Sequence, residues 1–227
     1  MKLLKWIFTA MAVTLMFLVI PVSAEETAAE GEAYATFEES TGTLTFKRTA
    51  LGEAVPTAAE AGVDNVYTGF ETATNYGTSQ IWWTRESRQI KTIKSETQIH
   101  PLKMFYWFDD CQNLIDISGL SQFEVSQVTD INSLFQGCNK LTDLSPVAGW
   151  DVSNVTNMCR LFRNCSSLTD LTPLQTWSTD KVVWMESMFD GCQKLANIKL
   201  YPQMWTHLFL FSWSIDSEKT RPTFVDT

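Results

Sequence analysis

The sequence predicts an α/β fold: a short right-handed solenoid of about four to five 27-residue strand-helix units, preceded by a small N-terminal cap that contains a β-hairpin. Apolar residues recur in six columns at a fixed spacing of 27. Each unit carries residue types that start and stop a helix, and a short apolar pair follows each stop.

The columns set the register. Phe108, Phe135, Phe162 and Phe189 are each 27 apart, as are Cys111, Cys138, Cys165 and Cys192, and Leu114, Leu141, Leu168 and Leu195. Met104, Ile131, Met158 and Met185 form a fourth column, Val128, Val155 and Val182 a fifth, and Phe123, Trp150 and Trp177 a sixth. A unit that cannot bury its own apolar face must stack on its neighbours, so these columns are expected to be the core.

Within a unit, Val128, Ile131, Leu134, Phe135 and Cys138 are spaced to share one face of a helix of roughly two to three turns. Ser126, Ser153 and Asp180 stand before it as N-cap residues. Asp110, Gly137, Asn164 and Gly191 stand after it, the types that best tolerate the left-handed conformation ending a helix. Next come apolar pairs such as Leu141 with Leu144 and Leu168 with Leu171, followed by Pro146 or Pro173. Proline limits a strand there to about three to five residues, and strands stacked in parallel would lie ~4.8 Å apart.

Ile90 and Ile93 continue two columns backwards, so a degenerate rung begins near Gln89 and the repeat covers 89–198. Residues 33–88 form the β-rich cap. Ala33, Ala35 and Phe37 alternate with polar residues, as do Leu44 and Phe46 beyond the turn at Ser40 to Gly42, which predicts a hairpin. A loose linker covers 51–61. Ile81, Trp82 and Trp83 are expected to cover the apolar end of the first rung. Residues 25–32, acidic and alanine-rich, are expected to be disordered. The divergent tail, 199–227, is read as a cap for the far end or as a sign of truncation.

The first 24 residues have a basic start, an apolar run from Trp6 to Ile20 and the small residues Val22, Ser23 and Ala24. This is the pattern of a cleaved secretory signal, with cleavage expected after Ala24. No transmembrane segment is expected in the mature chain, since the apolar stretch 204–215 is too short to cross ~30 Å of hydrocarbon. Loss of Lys2 and Lys5 with the signal moves the formal net charge from −9 to −11. An acidic chain with no basic cluster excludes nucleic acid as the expected partner.

The run Gly149-Trp150-Asp151-Val152-Ser153-Asn154-Val155-Thr156-Asn157-Met158, then Leu161-Phe162 and Cys165-Ser166-Ser167-Leu168, resembles the repeat of BspA-like bacterial surface proteins, a leucine-rich-like repeat family. The resemblance covers about 104–198, and Thr41-Gly42-Thr43-Leu44 resembles the strand-turn-strand that often precedes those repeats. It implies a secreted or surface-displayed protein engaged in adhesion, with an extracellular protein or glycan as partner, and it transfers no catalytic residue. The unit from Trp177 to Met185 departs from the pattern, and the tail shows no cell-wall sorting motif.

No cofactor, metal or catalytic site is expected. The two histidines, His100 and His207, are far apart in sequence, and no nucleophile elbow or phosphate loop is present. Four of the five cysteines lie in one column, where in-register thiols disfavour disulfides between neighbours; buried thiols are the favoured reading over a disulfide framework. Cys159 belongs to no column. Candidate ligand-binding residues are Asp116, Asp143 and Asp170, aligned before the expected strand, and Trp184, which replaces Asp130 and Asn157 of earlier units. Solvated carboxylates are the plainer reading of the first three, and Trp150 with Trp177 reads as core. A scaffold with no ligand of its own is the alternative to an adhesin.

Overall fold

The computed structural model describes residues 30–72 and 83–195. The chain divides into two compact units, Met1–Glu30 and Gly31–Thr227, and the fold below is that of the second. The leader, Ile81, Trp82, Asn197, Ile198 and the tail 199–227 lie outside the described residues.

The predicted hairpin forms from β1 (Ala33–Glu38) and β2 (Thr43–Arg48), with Ala35 opposite Phe46 and Phe37 opposite Leu44. These four side chains are buried on one face, which the period of two dictates. Gly31 and Glu32 extend the hairpin beyond the predicted boundary: Thr49 N–H donates to the Glu32 carbonyl at 3.0 Å. The predicted linker holds a single helical turn, α1 (Ala58–Ala61), with Thr57 and Glu60 forming a capping box. It leads to β3 (Asn65–Thr68), which pairs antiparallel with β1.

β4 (Thr92–Ser95) completes the sheet by running parallel to β2, giving the order β3-β1-β2-β4. Its Ile93 and neighbouring Ile90 are buried, as the degenerate first rung requires. β4 is also where the repeat begins, because Ile93 N–H donates to the Asp116 carbonyl of the next rung at 2.8 Å. Gly119 permits this approach. A Cβ there would collide with the backbone of Lys94 and Ser95.

The expected strand-helix unit is overturned in detail. Among the described residues the rungs contain no α-helix: besides single parallel bridges such as Asp130 to Asn157 and Asn157 to Trp184, their regular pieces are 3-10 turns at Ser118–Gln122, Ser145–Val147 and Thr172–Leu174. The stretch 128–138 is instead a chain of tight turns. Leu134 N–H bonds the Ile131 carbonyl, Gln136 the Ser133 carbonyl and Cys138 the Phe135 carbonyl, at 3.1–3.2 Å. Alternate amides point along the stack: Ile131, Ser133, Phe135 and Gly137 donate to Asn157, Cys159, Leu161 and Arg163 at 2.7–3.0 Å.

Two left-handed residues per rung enforce this path. Tyr106, Ser133, Arg160 and Ser187 have φ of 54–60°, and four residues on, Asp110, Gly137, Asn164 and Gly191 have φ of 57–76°. A right-handed helix cannot pass through either position. The second column is the left-handed stop that the sequence predicts. The predicted strand column is likewise displaced, since Asp116 bridges to Thr92 but the inter-rung bridges above it fall at Asp130, Asn157 and Trp184.

All six apolar columns are buried. Phe108, Phe135, Phe162 and Phe189 form a ring stack with centroids 5.6–5.7 Å apart. Trp150 and Trp177 stack at 6.3 Å, and their indole Nε1–H groups donate to the carbonyls of Leu120 and Val147 in the preceding rung, at 2.9 and 3.1 Å. Their apolar bodies fill the core while their one polar atom is satisfied there.

Candidate functional site

The predicted carboxylate column has a local duty. Asp116, Asp143 and Asp170 each accept a hydrogen bond from the amide two residues on, of Ser118, Ser145 and Thr172, at 2.8 Å. These bonds fix the entry to each 3-10 turn. The Thr172 hydroxyl and then its amide hold the Asp170 carboxyl below the usual carboxylate range. Asp143 also accepts from Ser145 Oγ at 3.0 Å. Asp143→Ala is expected to lower stability by about 1 kcal/mol and Asp143→Asn by less than about 0.5 kcal/mol in urea melts, because asparagine still accepts the bond.

Trp184 lies on the inter-rung bridge column and is 49% exposed, beside the equally exposed Val183. The same column is closed in the rung below Asn157, where Asp130 is buried and accepts from Asn132 N–H at 2.9 Å. The structure therefore separates Trp184 from the three aspartates, which belong to a different column. They do not converge on one site.

A different feature spans the rungs. A groove of about 370 Å³ is walled on one side by the left-handed column of Asp110, Gly137, Asn164 and Gly191. Its other wall is the column two residues later, Gln112, Asn139, Ser166 and Gln193. It follows the stack axis, because both walls come from four successive rungs. Gly137 and Gly191 keep it open: a Cβ on Gly191 would meet the Asn164 side chain. The first wall reads in the sequence as a stop signal, and the only sequence mark of the second is a run of uncharged polar residues at 27-residue spacing immediately after the cysteine column.

The five cysteines are free thiols. Cys138, Cys165 and Cys192 donate from Sγ to the carbonyls of Phe108, Phe135 and Phe162 in the preceding rung, at 3.0–3.2 Å. Half-buried Cys159 donates to Glu186 Oε2 at 2.5 Å. Burial pushes its thiol up to about 11, with the Glu186 hydrogen bond adding to the effect. Burial raises Cys192 to about 12, and Cys111, Cys138 and Cys165 higher still. Since an ordinary thiol ionises near 9, the folded chain stays protonated where the unfolded chain does not. This stabilisation is complete below about pH 9 and is lost as the pH rises towards the folded values. Denaturation midpoints should fall from about pH 9 upwards. At about pH 8, mass spectrometry should find Cys159 alkylated roughly a hundredfold more slowly than in the unfolded chain.

Among the described residues, no group of three or more His, Cys, Asp or Glu is placed to hold a metal ion, and no helix is long and apolar enough to cross a membrane. The molecule is thus a repeat protein whose stacked rungs rise from a mixed four-stranded sheet. Residues 102–206 match the family model described as "Mycoplasma protein of unknown function, DUF285". No curated protein matches the chain. Among solved structures, a leucine-rich repeat protein from Bacteroides ovatus is similar over 74% of this chain, with 16% identity and a TM-score of 0.31. The match takes in 46% of that protein, so the chain spans about half of its length.

Proposed function

We propose that the chain is a secreted or surface-displayed, BspA-like repeat protein that acts by adhesion, binding an extracellular protein or glycan without catalysis, after cleavage of its leader behind Ala24. The observation that carries this reading is the division of labour within each unit. The apolar columns are consumed by stacking, while polar columns align outward across successive rungs and give an extended, regularly spaced surface. Repeat proteins bind through such surfaces. The reading of the leader rests on its basic, apolar and small-residue segments in sequence.

The test is binding of the whole chain, expressed with its leader, to extracellular-matrix proteins and to a glycan array. Saturable binding that survives moderate salt supports an adhesin. A folded monomer that binds nothing on either panel removes the adhesion reading and leaves a scaffold.

A further inference from the structure

We infer that the chain closes the open end of its own stack with one further, degenerate rung, residues 196–215, whose carbonyls accept from the amides of Met185, Ser187 and Phe189. This segment lies outside the described residues, whereas the edge that it meets lies within them. The closure does not rest on the adhesion reading.

The edge offers donors only. In three successive rungs, four alternate amides donate to carbonyls 26 residues on, as Met104 does to Asp130, Ile131 to Asn157 and Met158 to Trp184, at 2.7–3.0 Å. The equivalent amides of the last described rung, on Met185, Ser187, Phe189 and Gly191, have no acceptor among the described residues. Such a row is a template for a segment that presents carbonyls to it. A second copy of the chain is a poor source. Its own last rung carries the same donors, and its first rung is covered by Trp83, which packs on Phe108 and donates to the Trp107 carbonyl.

The sequence beyond Leu195 keeps the register of the buried columns. At 27-residue spacing Ile198 follows Leu171, Tyr201 follows Leu174, Met204 follows Trp177, Phe209 follows Val182 and Ile215 follows Met188. All five predecessors are buried. Thr206 follows Thr179, itself fully buried, and Asn197 follows Asp170, whose side chain fixes a 3-10 turn by accepting from Thr172. Asparagine can accept the same bond. The offset of 26 then brings the carbonyls of Phe211, Trp213 and Ile215 to the amides of Met185, Ser187 and Phe189. Ser212, Asp216 and Lys219 break the columns of Met185, Phe189 and Cys192. Polar replacements of this kind suit a terminal repeat, whose outer face meets water.

An exposed pair points the same way. Val183 and Trp184 are 48% and 49% exposed, in columns that hold Thr156 and Asn157 one rung earlier. Leu210 and Phe211 follow them at 27-residue spacing. On a further rung Trp184 gains a ring neighbour and Val183 an aliphatic one, the pairing that stabilises adjacent strands. These two columns thus turn apolar together, in the two units that the closure makes neighbours.

The experiment is hydrogen exchange read at single amides by NMR, on the full chain and on its Phe209→Asp, Ile215→Asp and Leu210→Asp variants. In the parent, Met185, Ser187 and Phe189 should exchange roughly a hundredfold or more slower than in an unstructured chain. Phe209→Asp and Ile215→Asp place a charge on the inward face of the closing rung, and should return the three amides to within about tenfold of the unstructured rate. Protection of Ile131, Ser133 and Phe135 reports that the stack below stays folded. Leu210→Asp, at an outward position, should leave all six amides protected. Fast exchange of Met185, Ser187 and Phe189 in the folded parent overturns the closure. Protection that survives both inward substitutions, or that Leu210→Asp abolishes equally, overturns the register. Protection that appears only as the protein concentration rises gives the edge to a second copy and overturns closure by the chain itself.

Discussion

Replacing Phe162 by alanine is expected to destabilise the repeat by about 3–5 kcal/mol in urea denaturation, towards the upper end of that range. Phe162 is fully buried between Phe135 and Phe189, with centroids at 5.6 and 5.7 Å and rings within 6° of parallel. The cavity left by alanine cannot close readily, because hydrogen bonds between rungs hold the backbone on both sides. Phe162 N–H donates to Met188 at 2.9 Å, and Phe135 N–H donates to Leu161 at 3.0 Å. A second loss follows from the same position. The Phe162 carbonyl accepts the Cys192 thiol, so distortion of this rung also disturbs the next. Phe162→Leu retains most of the volume and should lose roughly 1–2 kcal/mol. A loss below about 1 kcal/mol for the alanine variant would show that the ring stack is not what holds neighbouring rungs together.

The stack was legible because vertical neighbours in a repeat protein are the same column of the next unit. A side chain such as Phe135 selects another phenylalanine 27 residues on, and the packing is written into the spacing. The path of the backbone within a rung was not legible for the same reason. Val128, Ile131, Leu134 and Cys138 all face inward, as a helix would place them, but a succession of turns closed by bonds three residues apart also brings roughly every third residue inside. The deciding residues carried no mark. Tyr106, Ser133, Arg160 and Ser187 are left-handed without being glycine or asparagine, because the hydrogen bonds between rungs outweigh their local preference. Only the companion column, with its Asp, Gly, Asn and Gly, announced its conformation.

The surface is less legible in the sequence than the core. Asp116, Asp143 and Asp170 stood out as charges in register, yet their alignment follows from a turn that every rung repeats. A column is therefore no sign of binding until its local backbone bonds have been counted. The amides of Asn164 and Gln193 are the converse case: inconspicuous in sequence, they face a groove that exists only once rungs are stacked.

Trp83→Ala should destabilise by a similar amount, about 3–5 kcal/mol, but with a different signature. Trp83 is fully buried and joins the two halves of the described fold. It meets Phe46 of β2 edge-on at 5.5 Å and Phe70 at 6.0 Å, and it lies nearly parallel to Phe108, the first ring of the phenylalanine column, at 6.1 Å and 20°. Its indole N–H donates to the Trp107 carbonyl. The ring thus extends the axial stack into the sheet. Removing it leaves β2 and the first rungs joined through β4, which pairs with both, and through Phe46 against Trp107 and Phe123 at 6.0 and 5.0 Å. Loss of Trp83 is therefore expected to split one cooperative transition into two, with the sheet and the repeat unfolding at different urea concentrations and a lower apparent m-value for each. Phe162→Ala, several rungs away, should weaken the repeat while leaving the sheet coupled to its first rung. Trp83→Phe restores a ring against Phe108 without the indole donor and should recover a single transition. If Trp83→Ala instead unfolds in one step within about 1 kcal/mol of the parent, β4 and the contacts of Phe46 with Trp107 and Phe123 are enough to couple the sheet to the repeat, and Trp83 is filler rather than joint.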